Sequence, residues 1–353
     1  MSANATNGIH PWLHRFAVLT AFCTFLLLGL GGLVTSHEAG MSVPDWPNTY
    51  GYNMFLFPFS QWVGGIFYEH THRLLASGVG LMTTILAVWL WFKDSRKWMH
   101  WLGVTTFLLV VAQGVLGGLR VTLHLDSLGI VHGTIAQLFF VLTCALALFT
   151  SRRWPDLAAK SRPGFRVPSD LRTLVLATTL LIFGQLVLGA TMRHQHAGLA
   201  IPDFPHAYGR WWPDASPDAV AQYNAKRMAV NGENPITAFQ IELQMAHRIT
   251  ALAIFILTAL CAWQARRQLG GKDVLAKLAG AWLALVFLQA ILGAATVWSN
   301  KAADVATTHV LVGALSLMIG SLWCILAFHR SEPMADARLL GAFGAQPALA
   351  ANK

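Results

Sequence analysis

Charge is what this sequence has least of. Of its 353 residues only 12% are Asp, Glu, Lys or Arg, while 55% are hydrophobic; a soluble chain of this size carries about 25% charged residues. That scarcity argues against a soluble globular protein and places most of the chain in lipid. The net charge of +9 does not point to nucleic acid, because the basic residues fall in short blocks between apolar runs rather than along one amphipathic face. Cysteine is also rare. Cys23, Cys144, Cys261 and Cys324 each lie within an apolar run and none has a C-x-x-C partner. This argues against zinc, iron–sulfur and thiol–disulfide chemistry and leaves them as small core residues. No Arg/Ser-rich transit segment precedes the first apolar run, Phe16 to Val34, and no small-residue cleavage site follows it. The expectation is a retained first helix in a bacterial protein.

Long apolar runs, by contrast, are abundant. Eight of them, near residues 16–35, 66–92, 99–118, 128–150, 171–192, 241–264, 275–297 and 305–327, reach the roughly 20 residues a helix needs to cross a bilayer. Basic residues crowd the connections after the second, fourth and sixth runs: Lys93, Arg96 and Lys97; Arg152, Arg153, Lys160, Arg162 and Arg166; Arg266, Arg267 and Lys272. The connections after the third and seventh carry little beyond Arg120 and Lys301. By the positive-inside rule both termini are cytoplasmic, and the long connections after the first and fifth runs lie outside. The predicted localisation is multi-pass, in the inner membrane of a bacterial cell.

The sequence also repeats itself. Ala39-Gly40, Pro44-Asp45-Trp46-Pro47 and Tyr50-Gly51 return as Ala197-Gly198, Pro202-Asp203-Phe204-Pro205 and Tyr208-Gly209, at a constant offset of 158 residues (Asp45 to Asp203). Gln113-Gly114-Val115-Leu116-Gly117 returns as Gln289-Ala290-Ile291-Leu292-Gly293 at an offset of 176 (Gln113 to Gln289), and a third version runs from Gln185 to Gly189. The change of offset marks an enlarged second outer loop, Asp214 to Pro235, expected to be irregular or partly helical. Four spans per half give both halves one orientation. The expected fold is an all-α integral membrane protein, with eight transmembrane helices in two tandem four-helix bundles and pseudo-two-fold symmetry along the membrane normal. Residues 1–151 form the first bundle, 152–170 a cytoplasmic linker, 171–330 the second bundle and 331–353 a cytoplasmic tail. Gly31, Gly117, Gly189 and Gly293 are read as close-packing positions between helices. The Pro-Asp-aromatic-Pro elements are read as turns that lid each bundle.

Four histidines stand in register within this repeat. His72 and His132 are 60 residues apart, His247 and His309 are 62 apart, and each falls near the start of an apolar run that enters from outside. A rise of 1.5 Å per residue puts His72 about 9 Å into its helix and His132 about 6 Å into its own, so the two can face each other at one depth. Ionisable residues inside a bilayer mark a function. Two imidazoles from parallel helices could ligate a flat iron macrocycle, or they could relay protons in a transporter; the paired repeat favours haem. Arg73 and Arg248 follow the helix-2-type histidines and could bind a propionate or snorkel to headgroups.

One turn before those histidines the halves differ: Glu69 precedes His72, whereas Gln244 precedes His247. Residues three apart share a helix face. Proton chemistry needs an exchangeable group, and a cofactor that only passes electrons does not. The difference assigns reaction to the first half and electron transfer to the second, with an interfacial cap or ion-pair role for Glu69 as the open alternative. His37, His124, His194, His196 and His206 on the outer side could touch propionates or a transient metal, though exposed histidines are commonplace, and His10, His14, His100 and His329 on the inner side are most simply interface residues.

Together these residues resemble the haem A synthase family. The resemblance rests on Glu69-x-x-His72-Arg73, His132, Gln244-x-x-His247-Arg248 and His309, and on the duplicated eight-span layout from about residue 15 to 328. It implies oxidation of the C8 methyl of haem O to a formyl group, by two hydroxylations and loss of water, giving haem A for terminal oxidases. It further implies haem O as substrate between His72 and His132 with Glu69 assisting, and haem b as cofactor on His247 and His309. The implied partners are membrane lipid, a haem O synthase and a quinol or other electron donor, with no nucleic acid. Some bacterial members carry a cysteine pair in the first outer loop. Residues 36–65 here contain none, which excludes a disulfide-linked step at that position. The rival reading is a dihaem b-type, quinol-linked electron-transfer protein, which leaves the Glu69/Gln244 difference unexplained. A parallel-repeat transporter is disfavoured, because its substrate groups belong near mid-membrane.

Overall fold

A computed structural model describes residues 10–159, 166–231 and 235–330. Lys160 and Arg162 of the expected inner linker and the expected tail 331–353 lie outside them. Among the described residues eight helices are long and apolar enough to cross a membrane. They are α1 (Pro11–Ser36), α2 (Gly64–Lys93), α3 (Lys97–Thr122), α4 (Leu128–Phe149), α6 (Ser169–His194), α8 (Ala238–Leu269), α9 (Val274–Trp298) and α10 (Ala303–His329). Two shorter helices, α5 (Trp154–Ala159) and α7 (Pro217–Asn231), lie between spans. The chain is an all-helical, multi-pass membrane protein. Its outward surface is accordingly apolar, with Phe22, Leu81, Leu108, Leu180, Leu252 and Phe287 exposed; a contiguous face of this kind belongs in lipid rather than water.

All helices except α4 outrun the apolar run that announces them at both ends. Hydropathy marks the length in lipid, whereas capping chemistry marks the length of helix. Pro11 opens α1 at its first turn, where a missing N–H costs nothing. Thr237 and Gln240 form a reciprocal capping box that starts α8 ahead of its apolar run. Asp273 accepts from the Leu275 N–H to start α9. Gly270, at φ +84°, turns the chain out of α8 in a conformation that other residues rarely adopt. The earlier start of α2 places His72 roughly 12 Å along its helix, deeper than the apolar run alone suggests.

Each half closes into a ring. In the first, α1 packs on α2, α2 on α3, α3 on α4 and α4 back on α1; in the second, α6, α8, α9 and α10 repeat the pattern. Between the halves α1 meets α10, α4 meets α6, and α4 meets α10. Exchanging the halves swaps the first two contacts and maps the third onto itself. The repeat reaches the backbone. Trp46–Pro47 and Phe204–Pro205 are both cis, Tyr50 and Tyr208 both have φ near +50° (50° and 55°), and Gly51 and Gly209 follow at +77° and +74°. Asp45 accepts from the N–H groups of Tyr50 and Gly51, as Asp203 does from Tyr208 and Gly209, at 2.7–2.8 Å. These side-chain-to-backbone bonds are what aspartate supplies to a turn. The enlarged second loop is partly helical through α7, one of the two forms expected of it. Tyr223 of α7 stacks on Tyr208 at 3.6 Å, and Asn224 pairs with both backbone groups of Ile236.

Candidate functional site

Each of the four histidines rests against a glycine on the preceding spanning helix. A Cβ added at Gly31 would lie 3.2 Å from Cε1 of His72, at Gly117 3.4 Å from His132, at Gly189 3.5 Å from His247 and at Gly293 3.2 Å from His309. Those glycines do more than pack helices: they form flat seats for four imidazoles. The glutamines one turn before three of the seats complete them. Gln113 Nε2 donates to the His132 carbonyl at 3.2 Å and Gln185 Nε2 to the His247 carbonyl at 2.9 Å, while Gln289 Nε2 lies 3.5 Å from His309 Nε2. A Gln-x-x-x-Gly spacing recurring on three helices was the sequence signal for this, since only that spacing puts both residues on one face.

In all four rings Nδ1 is buried without a hydrogen-bond partner, and the residues themselves are partly exposed. Nε2 is therefore the nitrogen that His72, His132 and His247 offer, whereas that of His309 faces the Gln289 amide. The His247 and His309 centroids stand 6.4 Å apart. Two metal–nitrogen bonds of about 2 Å plus the two ring radii bring trans imidazoles to roughly that separation. Among the described residues no three His, Cys, Asp or Glu side chains gather as a metal site. An iron bound here must bring most of its own ligands, and a porphyrin iron needs only axial imidazoles. His247 and His309 fit such a group.

Glu69 has the ion-pair contact that stood as the alternative to a carboxylate serving the first pair. It is 4% exposed, accepting from the Val43 N–H at 2.9 Å through Oε2 and from Arg73 at 2.8 Å through Oε1. Gln244, 3% exposed, does the same for the equivalent residue of the second loop, accepting from the Ile201 N–H at 2.6 Å. Both side chains anchor the outer loop of their half. The asymmetry between them is chemical, one ionisable and one not, within a shared geometry.

Arg73 and Arg248 are likewise loop anchors. Arg73 donates to the carbonyls of Val43, Asp45 and Asn48 at 2.6–3.1 Å, and Arg248 to those of Asp203 and His206 at 2.7 and 2.9 Å. Both terminal nitrogens of each guanidinium are engaged by loop backbone.

Sequence reasoning passed over His70. It is fully buried, bonds Thr49 Oγ1 through Nδ1 at 3.1 Å, and packs between Phe57 and Trp62. The repeat puts Met245 and Ala207 at these two positions in the second half, inside an apolar cluster with Ala200, Ile201, Ile236 and Ile241. At this one contact the first loop is polar and the second apolar. The paired change of Thr49/His70 to Ala207/Met245 was legible in the repeat, but only with the loop folded onto the helix does it read as one contact.

Comparison with known proteins agrees with this layout. The model of the COX15-CtaA family, described as cytochrome oxidase assembly protein, matches residues 52–320. A "Heme A synthase" of Lysinibacillus sphaericus is 27% identical over 330 residues, covering 91% of this chain and 96% of its own. One from Shouchella clausii is 26% identical with the same coverage. One from Shewanella oneidensis is 26% identical, covering 87% and 93%.

Proposed function

The chain belongs to the COX15-CtaA family of cytochrome oxidase assembly proteins, and from that premise we propose that it is an oxidoreductase converting haem O to haem A. In this reading the C8 methyl of haem O becomes a formyl group, a four-electron oxidation of the substrate. The relatives that match along nearly their whole length carry the name of that activity. The observation that carries the division of labour is the pair of glycine-seated histidine sites that differ by Glu69 against Gln244.

His72 and His132 receive the substrate haem in the N-terminal bundle, residues 1–151. His247 and His309 hold haem b in the C-terminal bundle, 171–330, and when bound that group supplies electron transfer. Gly31, Gly117, Gly189 and Gly293 fix the ring orientations, and the outer loops exclude water from both sites. Glu69 is the group able to exchange a proton beside the substrate. Its ion pair with Arg73 and the bond it accepts from the Val43 N–H tie that carboxyl to the loop. Basic residues at Lys93, Arg96 and Lys97 and at Arg266, Arg267 and Lys272 support a cytoplasmic location for both termini, in a bacterial inner membrane.

Glu69→Gln tests the role cleanly, because Gln244 shows that an amide can anchor the same loop. Expressed beside a haem O synthase, that variant is expected to retain haem b and haem O but to yield at least ~100-fold less haem A, the loss typical of removing a general acid–base. The readout is pigment extraction and chromatography. Substantial haem A from Glu69→Gln removes the carboxylate from the chemistry and leaves it a loop anchor.

A further inference from the structure

Haem carries two carboxylates, and the arginines that follow His72 and His247 are occupied by loop carbonyls. Two other arginines stand beside the histidine pairs on the outer side. Arg120, near the C-terminus of α3, lies within electrostatic range of both His72 and His132. Arg193, near the C-terminus of α6, lies within range of His309. The repeat imposes neither: its offsets put Thr296 opposite Arg120 and Thr35 opposite Arg193. Each half therefore has one added cation near its histidines, brought from non-equivalent helices.

Their present contacts differ. Arg193 sits on the seam between halves, where a Cβ on Gly32 of α1 would come within 2.9 Å of Thr307 of α10. One of its terminal nitrogens donates to the Gly32 carbonyl and the Ser36 hydroxyl. Among the described residues it enters no ion pair. A cation half-removed from water and met only by neutral acceptors calls for an anion. Arg120 does have one: Asp126 Oδ1 at 2.6 Å, while its own Nε is buried without a partner. Asp126 also accepts from His194 at 3.3 Å, and its side chain is 46% exposed. Burial alone would raise the Asp126 carboxyl, but the Arg120 hydrogen bond and charge outweigh that and hold it below the usual range. It is thus a ready counter-ion.

We propose that Arg193 anchors a propionate of the resident macrocycle held by His247 and His309, and that Arg120 anchors a propionate of the substrate macrocycle, with Asp126 as the placeholder it pairs with between substrates. This rests on the two-haem reading above. The resident site needs no placeholder because its ligand stays; the exchanging site does, because an unpaired cation in that position is costly each time the ligand leaves.

The resident half is tested by optical redox titration of purified haem b. Arg193→Gln removes a positive charge beside the iron and shifts the midpoint to lower potential, with less haem b retained per polypeptide. Ser36→Ala removes a protein contact of the same guanidinium while keeping its charge, and leaves the midpoint where it is. An unchanged midpoint with full haem b in Arg193→Gln overturns the anchor, as does an equal shift in Ser36→Ala, which assigns the effect to the helix seam. Loss of bound phospholipid phosphate from Arg193→Gln without a midpoint shift assigns the cation to a lipid headgroup instead, and also overturns it. The substrate half is tested by co-purified haem O plus haem A. Asp126→Asn raises it roughly two- to five-fold, the range expected on removing a competing, partly exposed ion pair, and Arg120→Gln lowers it. No rise in Asp126→Asn overturns the placeholder. Wild-type protein free of any haem is a separate result, and it overturns the two-haem reading itself.

Discussion

At Gly31 and Gly293 an added Cβ meets an imidazole at 3.2 Å, whereas at Gly189 it finds His247 at an ordinary 3.5 Å. Overpacking a well-filled contact costs about 1–3 kcal/mol, so the two alanine variants of the second site should part company. Gly293→Ala is expected to lower haem b per polypeptide several-fold, and Gly189→Ala to leave it near the wild-type level, read from the absorbance of the purified proteins. Equal loss in both would mean that the seats do not set ring position. At this scale the sequence was a good guide to identity and a poorer one to direction. The four histidines and the Glu69/Gln244 difference stood out from the repeat alone. An ion-pair role for Glu69 was legible too, but its bond from the Val43 N–H was not, because helical spacing fixes a face of α2 but not which neighbour the loop brings to it.

The outer loops carry the difference between the halves at the scale of elements. Ala207 and Met245 lie in an apolar cluster closed over by α7, whose Tyr223 stacks on Tyr208. Thr49 and His70 make a hydrogen bond in the same place, beside Phe57 and Trp62 and with Tyr50 exposed. Apolar burial resists local opening more than a hydrogen bond that water can replace. Amides of residues 39–52 should therefore exchange with solvent at least about ten-fold faster than those of 197–210, measured by hydrogen–deuterium exchange in detergent or nanodiscs. The double variant Thr49→Ala, His70→Met, which copies the second seal into the first loop, should narrow that gap and slow the release of product. Equal exchange in the wild type would remove the distinction. Helix existence was legible from apolar runs, since length in lipid is a hydropathy property. Helix ends and the ordering of α7 depend on caps and on Asn224–Ile236 and Tyr208–Tyr223 contacts, which a run of polar residues does not reveal.

For the whole molecule, duplication gives two equivalent frames, and function comes from making them unequal. Contacts across α1–α10, α4–α6 and α4–α10 join the halves, and in the proposed reading electron exchange between a resident and a transient haem would cross that seam. The direct test removes one ligand from each site and reads both pigments. Expressed with a haem O synthase, His309→Ala should lose the haem b spectrum, while His72→Ala should keep haem b in full and produce no haem A. If instead His72→Ala and His309→Ala each lose half of a two-haem b spectrum, and the wild type makes no haem A, the chain is an electron-transfer protein and the substrate site does not exist.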